Sequence, residues 1–293
     1  MPVYAQHYRR WMGQTTPRWL RWTVITRYHL RQLFTGKGRL ALIALLVLSG
    51  AVHLTFLAII YILANAELLS FLGQVKLPEV NAEFFIYPFV PQGFIVGLLT
   101  LIVGSGLIAD DRRDNAVPLY LSKPLTPTEY LVGKFGVLAV FTLAVTAVPV
   151  NLLFLFEVLV HGGRAFFKAH WWLPLSITSF SVVITALCGA VILMASSLVK
   201  KGSLAGVFAI GLFIGHNVLT GILVSSFRNE KLMRLSLQFD LHRLGLWLFG
   251  LDDSPTAGAY PFSGQSAGLV ILTVIVVCLA IARWRIRPVE VVK

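Results

Sequence analysis

Leu40-Ala-Leu-Ile-Ala-Leu-Leu-Val-Leu-Ser-Gly-Ala-Val-His-Leu-Thr-Phe-Leu-Ala-Ile-Ile-Tyr-Ile-Leu63 runs without a single Asp, Glu, Lys or Arg. About 20 such residues are enough to cross roughly 30 Å of hydrocarbon as a helix. In lipid the backbone must satisfy its own hydrogen bonds, so a stretch of this kind is helical. Five more follow, at about 88–109, 133–160, 171–198, 203–226 and 264–283. Charged residues make up only 13% of the 293 positions, about half of what a water-facing surface requires, and they cluster between these runs. The expected class is an all-α integral membrane protein with six transmembrane helices.

Working outward from the first run, eight Lys/Arg and no acid precede Leu40: Arg9, Arg10, Arg18, Arg21, Arg27, Arg31, Lys37 and Arg39. The net charge of +12 therefore reads as topology and attraction to anionic lipid, with nucleic acid excluded as a partner. The 110–132 loop, Lys200/Lys201 and Arg283, Arg285, Arg287 and Lys293 fall on the same side, which places both termini in the cytoplasm. The localisation expected is the inner (cytoplasmic) membrane, multi-pass. Residues 1–39 form a basic N-terminal region, and 17–35 read as an interfacial amphipathic helix. Trp19, Trp22, Leu30, Leu33 and Phe34 gather on one side and Arg18, Arg21, Arg27 and Arg31 take the remainder, so Trp19, Trp22, Arg18 and Arg21 are the candidate interfacial anchor. The 227–263 loop, rich in Leu and ending in Trp247-Leu-Phe249, predicts short helices on the outer membrane surface or dipping into it.

The segment between the second and third spans is the most specific. Asp110, Asp111, Arg112, Arg113 and Asp114 end span two, since such a cluster cannot enter hydrocarbon. Ala116–Leu121 is a short apolar stretch holding Pro118, and Thr126-Pro-Thr-Glu129 is a capping box with proline at the first helical position. The expectation is a compact elbow over 110–132 that exposes Leu119, Tyr120 and Leu121 between charges, as a docking surface does.

Gly104 to Ala109, Asp111-Arg112, Leu119 to Ser122, Pro124-Leu125, Tyr130 and Gly133-Lys134 together resemble the stretch that follows span two in ABC-2 type ABC-transporter permeases. The motif covers about 30 residues and the general layout most of the chain. The likeness extends to the branch that holds the nitrous-oxide reductase maturation permease. The resemblance implies a membrane subunit whose elbow docks in a groove of a separate cytoplasmic ATPase. Carried over, Asp111, Arg112, Leu119, Tyr120, Leu121, Ser122 and Pro124 touch that ATPase. It implies a second copy of this chain, and no cofactor here, because ATP and Mg belong to the partner. Neither Gly36-Lys37 nor Gly133-Lys134 continues as a phosphate-cradling loop. Some relatives pass ATP-driven motion to an extracytoplasmic partner instead of exporting a substrate, and here the outer loops at 64–87 and 227–263 would make that contact.

Other groups were weighed against this reading. His53 and His216 lie within spans and could ligate haem, which would make the chain an electron-transfer subunit. Glu157 and Asn151 either line a polar pathway or reach water at the interface. His161 and His170 flank one loop as a metal pair without a third ligand. An intramembrane enzyme would need a catalytic set inside the bilayer, and Glu157 stands alone there. Gly211 and Gly215 mark either a contact between two copies or packing within one bundle. Cys188 and Cys278 read as small embedded hydrophobes, and Pro149 predicts a kink in span three.

Overall fold

The computed structural model describes residues 17–36, 38–65, 79–122, 125–160 and 163–286. They are helical throughout, with no strand among them, and six helices are long and apolar enough to cross a membrane. After a 3-10 turn at Arg18–Leu20 come α1 (Arg21–Thr35) and α2 (Arg39–Ala64), the first span. The second span is α3 (Phe89–Gly104) followed by α4 (Gly106–Arg113), and the elbow carries α5 (Ala116–Leu121). The third span is α6 (Pro127–Val145) with α7 (Ala147–Val160), and α8 (Arg164–His170) leads to α9 (Leu173–Leu198), the fourth. The fifth span comprises α10 (Gly202–Ile210), a π-turn at Gly211–Gly215 and α11 (His216–Phe227). Beyond a 3-10 segment at Glu230–Leu235 lie α12 (Leu237–Leu248), α13 (Pro255–Gly258) and the sixth span, α14 (Gly264–Arg285).

The fourth span is the hub. It packs against α3, α4, α6, α7, α10, α12 and α14. Of its most apolar window 67% is buried, against 11% for the fifth span, whose Leu204, Val207, Ile214, Val218 and Leu219 are exposed. The fifth span therefore keeps most of its surface for lipid or another chain.

Two spans are broken, and each break has a local cause. Span three yields at Thr146, three residues before Pro149, because that proline has no N–H for the Val145 carbonyl and its ring crowds that oxygen. The sequence places a kink at Pro149, and the distortion falls on the turn that precedes it. Span two breaks at Ser105, where no proline acts. Here Ser196 of α9 takes over: its Oγ accepts from the Ile108 and Ala109 amides at 3.0 and 2.9 Å and donates to the Ser105 carbonyl at 2.8 Å. Backbone groups freed by the break are satisfied by the neighbouring helix, as burial in an apolar bundle requires.

The Leu-rich 227–263 loop, expected as short helices on the membrane surface or dipping into it, carries α12, which packs between spans four and six, burying Leu244, Leu246 and the ring of Phe249 against Phe89 and Phe180. Arg243 is buried; its Nη1 meets Asp252 at 2.5 Å and its Nε donates to the Phe262 carbonyl at 3.0 Å. Guanidinium and partners close the element into one unit.

Candidate functional site

The elbow is built where α1, α4, α5 and the start of α6 meet. The Thr126 hydroxyl accepts from the Glu129 amide at 3.2 Å, and the Glu129 carboxylate accepts from the Thr126 amide at 2.7 Å, so the capping box forms as expected. Span three consequently starts at Pro127, six residues earlier than the apolar pattern places it. That carries Tyr130 and Lys134 into the protein. Between α4 and α5 the chain turns at Asn115, whose φ of 53° is left-handed, a conformation Asn tolerates better than most residues.

α1 lies on the third span rather than only along a membrane surface. Gly133 and Gly136 admit it: a Cβ at Gly133 would stand 2.8 Å from the Trp22 carbonyl, and one at Gly136 2.8 Å from Thr26 Oγ1. Thr26 then donates to the Gly133 carbonyl at 2.8 Å. The side of α1 that meets the bundle is Trp22, Ile25, Thr26, His29 and Leu33. Trp19 and Phe34 remain exposed, so the apolar side expected from the sequence is divided between protein and surroundings. Arg21 is half-buried and engaged within the chain, and the Arg18 side chain lies outside the described residues.

Lys134 is fully buried, and its surroundings explain how. Its ammonium stands 2.5 Å from Asp111 Oδ2, the same oxygen that accepts the Tyr130 hydroxyl at 2.6 Å. It also lies 2.7 Å from His29 Nε2. Since His29 Nδ1 faces the Ile25 carbonyl at 3.0 Å, a pure acceptor, the proton sits on Nδ1 and Nε2 accepts from the lysine. Burial, and next the lysine charge, hold the His29 imidazole below its ordinary range, so it is neutral near pH 7. The rings of Tyr130 and Tyr120 flank the ammonium at 5.3 and 5.7 Å. The Tyr120 hydroxyl is pushed up to about 12, by burial first and by the Asp111 charge second. Four elements are thus tied by one buried, internally paired charge.

The residues of the docking set expected from the sequence stand in different surroundings. Asp111 is turned inward onto Tyr130 and Lys134, and Arg112 donates to the Ser197 carbonyl at the end of the fourth span. Asp111 Oδ2 and Arg112 Nη1 are thereby engaged within the fold. Tyr120 and Leu121 are half-buried, with Tyr120 tilted against Tyr130 at 5.5 Å. Leu119 is 68% exposed and Ser122 lies beside it, its hydroxyl donating to the Leu119 carbonyl. Pro124 lies outside the described residues. Of the seven, Leu119 and Ser122 present an outward face. His29, Thr26 and Ser196 were not singled out from the sequence; their partners are 87 to 107 residues away, beyond any local pattern.

The remaining candidates separate. His216 uses both ring nitrogens on the backbone, Nδ1 toward the Leu212 carbonyl and Nε2 accepting from the Leu237 amide at 2.9 Å, leaving no lone pair for a haem iron. Gly211 and Gly215 have nothing within 4 Å of where a side chain would begin, so neither packs within this bundle. Glu157 is buried rather than in reach of water. Asn151 is tied to Ala147 and Thr178. His170 faces the Phe166 carbonyl, and His161 lies outside the described residues. No group of three metal-ligating side chains occurs among the described residues. Comparison with protein-family models finds no match to the chain, and comparison with curated proteins finds none.

Proposed function

We propose that this chain is the membrane-spanning, non-catalytic subunit of an ATP-driven transporter of ABC-2 type, with the elbow as its contact for a separate ATPase. The observation that carries the reading is the elbow itself. Leu119 stands out on a six-residue helix whose opposite side is anchored by Val117, Tyr120 and the buried Asp111–Lys134 pair. An exposed leucine on a braced support is how a force-transmitting contact is made, because a push on α5 moves spans two and three together with α1. The chain's basic residues cluster at this end, which supports a cytoplasmic elbow and cytoplasmic termini in a bacterial-type inner membrane.

ATP and Mg belong to the partner in this reading, and two copies of each chain make the assembly. The open, scarcely packed fifth span, with Gly211 and Gly215 bare, supports a second copy there. Export of a substrate is the primary role. A second reading, motion passed to an extracytoplasmic partner, is favoured by α12, which is wedged between spans four and six and would move with them.

The test is Leu119→Asp. The residue is exposed, so the variant is expected to insert and fold as the wild type, while co-purification with the ATPase falls at least tenfold. Unchanged co-purification would remove the docking assignment.

A further inference from the structure

A second polar cluster lies between spans one and two, and the proposed coupling role does not use it. Ser49 and His53 stand one turn apart on α2, and Gln92 faces them from the first turn of α3. The Gln92 amide nitrogen is 3.2 Å from the Ser49 carbonyl, 3.0 Å from the Ser49 hydroxyl and 2.9 Å from His53 Nδ1. A carbonyl only accepts, so the group turned toward it is the NH2 end, which orients the amide. Its two protons then go to Ser49 and to His53 Nδ1. With Nδ1 accepting, the neutral ring carries its proton on Nε2. His29 Nδ1 meets only a carbonyl, whereas His53 Nδ1 meets the Gln92 amide as well; the alternative tautomer, Nδ1–H toward the Ser49 carbonyl 2.9 Å away, would leave that amide nitrogen 2.9 Å from an imidazole N–H with no lone pair to receive its proton.

Two atoms are left over. His53 Nε2 and Gln92 Oε1 have no partner among the described residues, although His53 is 6% exposed and Gln92 1%. Leaving a buried polar group unsatisfied is costly, and unpaired groups inside spans mark functional positions. One leftover is a donor and the other an acceptor. Joined by a single hydrogen bond, the imidazole and the amide hold them within reach of one or two bridging oxygens. The chemistry that answers a donor and an acceptor together is a hydroxyl. A charged ligand does not suit it, since neither span carries an ionisable side chain beside the cluster other than His53 itself.

We propose that His53 and Gln92 form a hydroxyl-binding site in the seam between spans one and two, filled by water or by the hydroxyl head of an alcohol dissolved in the bilayer. Full-length protein carrying 15N-histidine, in phosphatidylcholine nanodiscs, is examined by magic-angle-spinning NMR, with His53 assigned by comparison with His53→Asn. The expected result is a protonated Nε2 whose proton correlates with water. Doping the discs with octadecanol distinguishes the sources: transfer of the correlation to the alcohol identifies a lipid-borne ligand, and retention identifies water. Gln92→Leu removes the acceptor and is expected to lose the correlation. A bare Nε2, or an Nε2–H with no hydroxyl correlation in either bilayer, overturns the site; persistence of the correlation in Gln92→Leu overturns the part assigned to Gln92. The decisive reading is made on the wild type, so it does not depend on the variant folding.

Discussion

Lys134 and Asp240 are both buried ionisable residues at opposite ends of the bundle, and the fold treats them in opposite ways. Lys134 has a carboxylate, an imidazole and two aromatic rings around it. Asp240, on the first turn of α12, is fully buried, and neither carboxylate oxygen has a hydrogen-bond partner among the described residues. Burial pushes its carboxyl up to about 7, against a weaker pull from Arg234, whose guanidinium is held by the Ser266 carbonyl and the Phe262 ring. The elbow end keeps its charge by pairing it, whereas α12 holds a carboxyl that retains its proton well above the usual carboxylate range. Pairing makes a joint rigid; a lone carboxyl leaves it responsive to pH.

The contrast can be broken most forcefully at the elbow. Lys134→Met leaves Asp111 against an apolar side chain and His29 without its donor. Loss of one partner from a buried pair costs about 3–5 kcal/mol, so unfolding in detergent should shift by that amount and α1 should become protease-sensitive. A loss below about 1 kcal/mol would mean that the ammonium already reaches water. Ser196→Ala comes next. It strips the partner from the Ile108 and Ala109 amides at the span-two break, with an expected loss of about 1–3 kcal/mol by the same unfolding measurement.

Asp240→Asn should act with the other sign. A carboxyl whose folded pKa is raised contributes most below the unfolded value, and that contribution fades as pH rises through the folded one. Wild-type stability should therefore decline from about pH 4 to pH 7, and the variant should lack this slope. Near pH 8 the variant should be the more stable by a few kcal/mol, up to about 4, since the folded value of about 7 stands roughly three pKa units above the ordinary carboxylate. An equal pH slope in both proteins would show that Asp240 is paired after all. The smallest effect is expected at His29. Its pKa is depressed, so the unfolded chain takes up a proton first as pH drops below about 6.5, and docking of α1 weakens. His29→Gln keeps an acceptor for Lys134 and should flatten that part of the profile, read from α1 proteolysis between pH 7 and 5.

The six spans could be read from hydropathy alone, and the start of span three from Thr126 and Glu129, because both signals are local. The inward turn of Asp111 and Arg112 could not. In sequence they are part of a charge cluster that ends a span, and only the neighbours supplied by spans three and four show that they point into the protein. For the same reason the position of Lys134 at the start of span three is legible in the sequence and its partners are not. The break at Ser105 leaves no mark in composition, since the residue that makes it tolerable, Ser196, is 91 positions away. The π-turn at Gly211–Gly215 falls on glycines that the sequence marks as a packing motif, yet no neighbour within the chain fills the space beside them.

The most direct measurement is cross-linking in the native membrane followed by gentle-detergent purification of the chain and identification of what is bound. We expect a stoichiometric ATP-hydrolysing polypeptide with a Walker A motif, cross-linked through the elbow and lost in Leu119→Asp. Recovery of redox proteins instead, or of no ATPase after cross-linking, would contradict the assignment of this chain as the membrane half of an ATP-driven transporter.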